Sequence, residues 1–304
     1  MIVIPFFRFD CFCNMSTRIY FNAMSNLNGF LRNRAVFKLW NPRGLRAVTT
    51  ETGQFEPEKH KIKKCFGLIV VNKKFRPPHY RVGAEADKRK IEKFCKSANI
   101  EIVSNTSLLT HDLKADEMKH LFNTISKRDF SSYDAFISFV SSHGTSEGID
   151  GIDGKPISET EILEPFKNCA SLEGKPKLFF IQSCGGDKED TGVRHDKVET
   201  DQAHSILHPF EADFLLAVSS VDGYKSYRYE QSGSVFITEL TKVLNKHAHN
   251  MNLTDMLTIV NNEVSKEEHI GGSKQMPSFT STLRKAVYFD VPESTEPPLS
   301  SQEP

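Results

Sequence analysis

Net charge is the first thing this chain lacks: 39 Lys and Arg balance 39 Asp and Glu over 304 residues. Nothing global draws it to nucleic acid or to an anionic membrane, and neither partner is expected. Cysteine is scarce. The six (at 11, 13, 65, 95, 169 and 184) are too few for a disulfide scaffold of this length. No C-x-x-C pair or His/Cys cluster has zinc-ligand spacing, so no metal and no other cofactor is expected. The cysteines read as reduced thiols in a cytoplasmic setting. Long apolar runs are missing too: Ile2-Val3-Ile4-Pro5-Phe6-Phe7 is broken at once by Arg8 and Asp10, too short for a span or a signal peptide. No internal repeat is visible. Acidic residues are absent from 11 to 50, against six basic ones: Arg18, Arg32, Arg34, Lys38, Arg43 and Arg46. Residues 1–58 are therefore expected to be a basic, disordered extension, with a mitochondrial transit segment as the minor alternative.

What is present, 38% hydrophobic and 26% charged residues, suits a soluble globular domain with disordered margins. It begins with Cys65-Phe66-Gly67-Leu68-Ile69-Val70-Val71-Asn72, a buried strand. Ile91, Phe94, Cys95 and Ala98 recur at helical spacing, as do Met118, Leu121, Phe122 and Ile125. Ile100 to Val103 is a second strand and Ala135 to Val140 a third. A short helix around Ile162, Leu163 and Phe166 precedes a fourth, Leu178-Phe179-Phe180-Ile181. A fifth strand starts at Asp213. Two helices follow, with Ser234 and Thr254 as the expected N-caps, and Ala286 to Phe289 is expected to close the sheet as its sixth strand. The alternation predicts an α/β fold, a six-stranded, mostly parallel sheet with helices on both faces. Between Gly185 and His208 lies a polar stretch without period, a length of loop that is usually functional. Pro292 to Pro304 is Pro/Ser/Glu-rich and expected to be disordered.

Two strands end on chemistry. The fourth runs into Gln182-Ser183-Cys184-Gly185-Gly186, the third into Ser141-Ser142-His143-Gly144. Adjacent parallel strands would bring thiol and imidazole to one rim, where open α/β sheets bind ligands. Such a pair is the minimum for nucleophilic catalysis by sulfur. Gly144-Thr145-Ser146-Glu147-Gly148 matches the serine-hydrolase elbow, but Asp150-Gly151 and Asp153-Gly154 predict a hairpin after it where the elbow needs a helix.

Here the chain resembles the caspases. The pentapeptide at 182–186 departs from the family's Q-A-C-x-G pattern only by Ser183. Arg81-Val82-Gly83, Ser142-His143-Gly144, Glu211-Ala212-Asp213-Phe214-Leu215, Ser226-Tyr227-Arg228 and Gly233-Ser234-Val235-Phe236 are family-like and stand in family order. The resemblance implies a catalytic domain over 59–291, with a large subunit of about 59–201 and a small one of about 202–291. It implies a thiol protease with Cys184 as nucleophile and His143 as proton donor, and an oxyanion hole from the N–H groups of Gly144 and Cys184. Arg81, Gln182 and Arg228 would recognise an Asp at substrate position P1, and Ser142 would be a further substrate-binding residue. Tyr227, Tyr229 and Val235 would shape the P4 site. It further implies a precursor processed after Asp201 by itself or an upstream caspase, a homodimer of large/small pairs, and an effector role in programmed cell death. A scaffold that is catalytically weak and works by binding proteins is the alternative, raised by Ser183.

Overall fold

The computed structural model describes residues 57–75, 80–103, 110–184, 212–221, 224–269 and 272–291, together with two short strands nearer the N-terminus. Those strands, β1 (Val36–Leu39) and β2 (Arg46–Thr49), form an antiparallel pair inside the stretch expected to be unstructured. They belong to a unit separate from residues 57–304. The long polar loop, Asp201 and the C-terminal tail lie outside the described residues.

In the second unit the strands are β3 (Lys59–Ile62), β4 (Cys65–Val71), β5 (Ile100–Ile102), β6 (Ala135–Ser141), β7 (Gly144–Thr145), β8 (Gly148–Asp150), β9 (Pro156–Ile157), β10 (Lys177–Gln182), β11 (Phe214–Val218), β12 (Arg228–Tyr229), β13 (Gly233–Ser234), β14 (Ser278–Ser281) and β15 (Ala286–Phe289). The helices are α1 (Ala84–Ser97), α2 (Ala115–Ser126), α3 (Glu159–Lys167), α4 (Val235–His247) and α5 (Leu253–Lys266). Six strands form the main sheet in the order β14-β11-β10-β6-β4-β5. All its pairings are parallel except that of β14 with β11.

The central strands are apolar on both faces, and the pleat sorts their side chains with period two. Cys65, Ile69 and Val71 of β4, Ile137 and Phe139 of β6, and Leu178 and Phe180 of β10 enter one core with α1, α4 and α5. Phe66, Leu68 and Val70, Phe136 and Val140, and Phe179 and Ile181 enter the other with α2 and α3. α5 shows why such helices stay: Leu253, Met256, Leu257, Val260 and Val264 are buried on one stripe, each stabilising by ~1.5–3 kcal/mol relative to exposure.

Two expectations need correcting. Ala286–Phe289 is not in the main sheet; it pairs in parallel with β3, and Ser278–Ser281 supplies the antiparallel sixth strand. Thr254 is not the cap of α5. Asn252 is, accepting the Asp255 N–H at 3.0 Å, while the Thr254 hydroxyl donates to the Asn252 side chain. Ser234 does stand at the N-cap of α4, but its hydroxyl makes no capping bond. The Gly144–Gly148 segment turns between β7 and β8, and β8 returns antiparallel to β9. No helix follows until α3, so the geometry of a serine-hydrolase elbow is not formed there.

Candidate active site

The register of β6 and β10 builds the site. Gln182 lies opposite Ser141 at the last paired position of two parallel neighbours. The chain stays paired one step further, where the Ser142 N–H donates to the Gln182 carbonyl at 3.0 Å. His143 and Cys184 thus leave the sheet at the same rim, each two residues past that last pair. Gly144 packs tightly between the two ends. A Cβ there would lie 2.8 Å from the Cys184 carbonyl oxygen, 2.8 Å from the Ser183 Cβ and 2.9 Å from the Gly148 carbonyl oxygen. Packing of the two strand ends is enough to require glycine.

Each reactive group is held. The His143 ring meets Phe75 edge-on at 4.6 Å between centroids, and the His143 carbonyl accepts the Asp150 N–H at 2.9 Å. The Cys184 Sγ, half-buried and not in a disulfide, lies 3.6 Å from the Ser226 Oγ and 3.7 Å from the Ser226 carbonyl. Ser226 ties the rim together: its hydroxyl accepts from the Gln182 side chain at 2.8 Å and donates to the Ser183 carbonyl at 3.2 Å. Ser219 adds a second bond to that carbonyl, at 2.6 Å.

Arg81 is fully buried, with no exposed surface. Its Nη1 donates to the Asn72 carbonyl at 2.7 Å and its Nη2 to the Ser141 hydroxyl at 3.0 Å, while Nε has no partner. Burial, and then the charge of Arg228, push the guanidinium down to about 9, against the opposing pull of Asp87 and Cys184. It remains charged at neutral pH. Arg228, half-buried on β12, is lowered as well, again by burial against Asp87 and Cys184. The two guanidinium groups are thus coupled electrostatically to Cys184, with limited solvent to screen them.

The other expected binding residues divide. Gln182 is buried with its side-chain oxygen unpaired. Ser142 is 2% exposed, and its hydroxyl is turned inward to the Asp150 carbonyl and the Asn72 amide. It is bonded as part of the scaffold. Val235 is 3% exposed at the first turn of α4, so it offers no open surface. Tyr229 is 44% exposed. Tyr227 stacks on His269 with centroids 3.9 Å apart, and the Tyr229 hydroxyl is 3.0 Å from the His269 Nδ1.

Asn72, Gln275, His269 and Asp87 escaped the sequence reading. Gln275 accepts the Tyr227 N–H at 2.8 Å and donates to the Ser219 carbonyl at 2.6 Å, tying the aromatic wall to the rim. For Asp87 a signal existed: it lies four residues before Ile91, on the apolar stripe of α1, and it is fully buried. Among the described residues no group of three or more His, Cys, Asp or Glu is arranged to hold a metal ion. No helix among them is long and apolar enough to cross a membrane.

Comparison with known proteins gives this rim a relationship. A family profile described as the caspase domain matches residues 64–288. The chain is 35% identical to caspase-3 of Bos taurus over 234 residues, 73% of this chain and 83% of that one. It is 32% identical to caspase-7 of Gallus gallus over 260 residues, 80% and 82% of the two chains. With caspase-3 of Oryctolagus cuniculus the identity is 38% over 189 residues, 59% and 68%.

Proposed function

We propose that this chain, which belongs to the caspase family and is a cysteine endopeptidase, hydrolyses proteins on the carboxyl side of aspartate. The observation that carries this specificity is Arg81: a fully buried guanidinium with an unpaired Nε, coupled electrostatically to a second, half-buried arginine, Arg228. A buried cation with a spare donor is costly unless an anion completes it. A carboxylate is the anion whose two oxygens fit a guanidinium fork.

In this reading the Cys184 thiolate attacks the scissile carbonyl carbon, and the carbonyl π pair moves onto oxygen. The N–H groups of Gly144 and Cys184 hold that oxyanion. His143 gives a proton to the leaving amine as the C–N bond breaks, which leaves a thioester. Water then attacks the thioester, with His143 taking its proton, and the thiolate is released. Arg81, Gln182 and Arg228 hold the P1 carboxylate. Tyr227 and Tyr229 offer the aromatic wall for residues further upstream.

The proposal extends to regulation. The chain is made as a precursor and cut after Asp201, since Val198-Glu199-Thr200-Asp201 resembles family interchain sites. The parts 59–201 and 202–291 then work as a homodimer of large/small pairs on cytoplasmic proteins. An upstream caspase is the candidate activator and programmed cell death the candidate setting.

The test is hydrolysis of fluorogenic tetrapeptides that differ only at P1. The processed chain should release fluorophore after Asp, fail after Lys and Arg, and lose all turnover as Cys184→Ala. Preference for a basic or neutral P1 residue would refute the specificity. No turnover from the processed parent would move the assignment to a non-catalytic binding scaffold.

A further inference from the structure

Arg228 sits on a hairpin, and the hairpin is held from outside the rim. β12 and β13 pair antiparallel, with Arg228 opposite Ser234. The Ser234 N–H donates to the Asp87 Oδ1 of α1 at 2.7 Å. Gly233, at φ +82°, lies so close that a Cβ would come within 2.3 Å of the same oxygen. One turn on, the Lys90 ammonium reaches the Ser232 carbonyl and, at 2.6 Å, the Thr238 hydroxyl. Asp87 itself has no exposed surface, and its second oxygen, Oδ2, has no hydrogen-bond partner.

A buried carboxylate with a vacant oxygen needs a reason to stay. We infer that Asp87 is a positioning residue with two separable roles: its oxygen pins the hairpin that carries Arg228, and its charge sets the affinity of the arginine pair for the P1 carboxylate. This inference rests on the P1 assignment above. Two guanidinium groups and one carboxylate leave a net charge of +1, which one substrate carboxylate cancels. Electrostatic coupling of Asp87 to both arginines supports the grouping: burial raises its pKa, while the Ser234 N–H bond, Arg81 and Arg228 oppose the rise. Without the Asp87 charge the pair would stand at +2 and hold any carboxylate more tightly, cleaved product included.

Asp87→Asn separates the roles, because an amide oxygen still accepts the Ser234 N–H but carries no charge. The readout is the Ki of two reversible peptide aldehydes, P1 Asp and P1 Asn, on the full chain after processing, with kcat and KM for a P1-Asp substrate alongside. One unit charge acting over several ångströms of partly dry protein changes carboxylate binding by about three- to thirty-fold. The expected result is a tighter P1-Asp Ki by that factor, an unchanged P1-Asn Ki, a lower KM and a kcat within about threefold of the parent. Asp87→Glu keeps the charge and should keep the parent's Asp-to-Asn ratio even where kcat falls. Asp87→Ala loses the pin together with the charge, so it should weaken the P1-Asn aldehyde, which reads the pin alone, while the two losses oppose each other for P1 Asp. If Asp87→Asn leaves the ratio unchanged, or weakens P1-Asp binding, the charge role is overturned. Should Asp87→Asn not fold, a shifted ratio in Asp87→Glu overturns it equally. A parent that does not discriminate between the two aldehydes refutes the P1 assignment instead, whatever Asp87 does.

Discussion

Gly144→Ala adds one methyl group to the seam between the two strand ends, and the structure sets its cost. The new carbon would have three contacts below 3.0 Å: the Cys184 carbonyl oxygen, the Ser183 Cβ and the Gly148 carbonyl oxygen. Two of these are backbone atoms, so no flexible side-chain end can swing away. Relief requires the segments 183–184 and 144–148 to separate by several tenths of an ångström. The Ser183 carbonyl resists, held by the Ser219 and Ser226 hydroxyls. Overpacking of this kind costs ~1–3 kcal/mol. For a domain of this size that lowers the melting midpoint by about 2–4 °C for each kcal/mol. The larger effect falls on turnover. The displaced atoms are the backbone of the candidate nucleophile and of both candidate oxyanion donors, and misplacement on the scale of an ångström costs about a hundredfold. The expected result is a kcat lowered by about ten- to a hundredfold, with KM changed much less. Gly174→Ala is the control. It sits at φ +69° with nothing within 4 Å of the added carbon, so it should cost ~1–2 kcal/mol of stability and leave kcat alone. Stopped-assay kinetics and thermal melts on both variants decide the matter. A Gly144→Ala enzyme with kcat within threefold of the parent would show that the seam does not position the chemistry.

Arg228→Ala should lower kcat/KM for P1-Asp substrates by about thirty-fold to several thousand-fold, or ~2–5 kcal/mol; cleavage equal to the parent would misassign the pocket. N-terminal sequencing of the small fragment should read from Gln202, and full activation of Asp201→Ala would exclude that cut. A substrate library varied only at P4 should favour bulky apolar residues over Asp, because Tyr227 and Tyr229 form the wall and Glu230 stands next to it in the chain; a preference for Asp defeats this. Arg284→Ala should lower the melting midpoint, since Arg284 bonds Asp213 through both Nε and Nη2. Burial alone would raise the Asp213 pKa, but the Arg284 hydrogen bonds and charge outweigh it and bring the carboxyl below its ordinary range. A depressed carboxylate stabilises above its unfolded pKa, about 3.9, and loses that contribution as pH falls through the folded value. The difference between parent and variant melts should therefore be full at pH 6.5 and shrink below pH 4; a difference that grows toward acid would reverse the assignment.

The inner strands of the sheet were legible because they are apolar on both faces. Leu178-Phe179-Phe180-Ile181 and Ala135-Phe136-Ile137 have no solvent-facing side to disguise them, and both end abruptly on polar residues. The edge strand misled for the opposite reason. Ser278–Ser281 reads Ser-Phe-Thr-Ser and is only partly buried, because an edge strand has a single neighbour to satisfy. Ala286–Phe289 is more apolar and was the natural choice, yet its pairing partner is the short β3, invisible in the polar run Lys59-His60-Lys61-Ile62. Caps were missed at the scale of one or two residues. Asn252 and Thr254 are both good capping types, and only the backbone turn decides which of them faces the open N–H groups.

At the candidate site the boundary of legibility falls between groups that end an element and groups that interrupt one. Cys184 and His143 follow strands, so their position at a rim can be deduced from the strands. Asp87 sits inside the apolar stripe of α1, where periodicity treats a carboxylate as noise. Physical reasoning treats it differently. A charge on a buried stripe is tolerable only with partners, and the partners must be cationic or donate hydrogen bonds. The chain holds two arginines at the required place, Arg81 six residues upstream of Asp87 and Arg228 opposite Ser234 on the bonded hairpin. Conversely, two arginines brought together beside a thiol repel each other, and the fold has to supply a counter-charge. Each of these three residues, taken alone, is expensive to bury; together they form a set one negative charge short of neutrality.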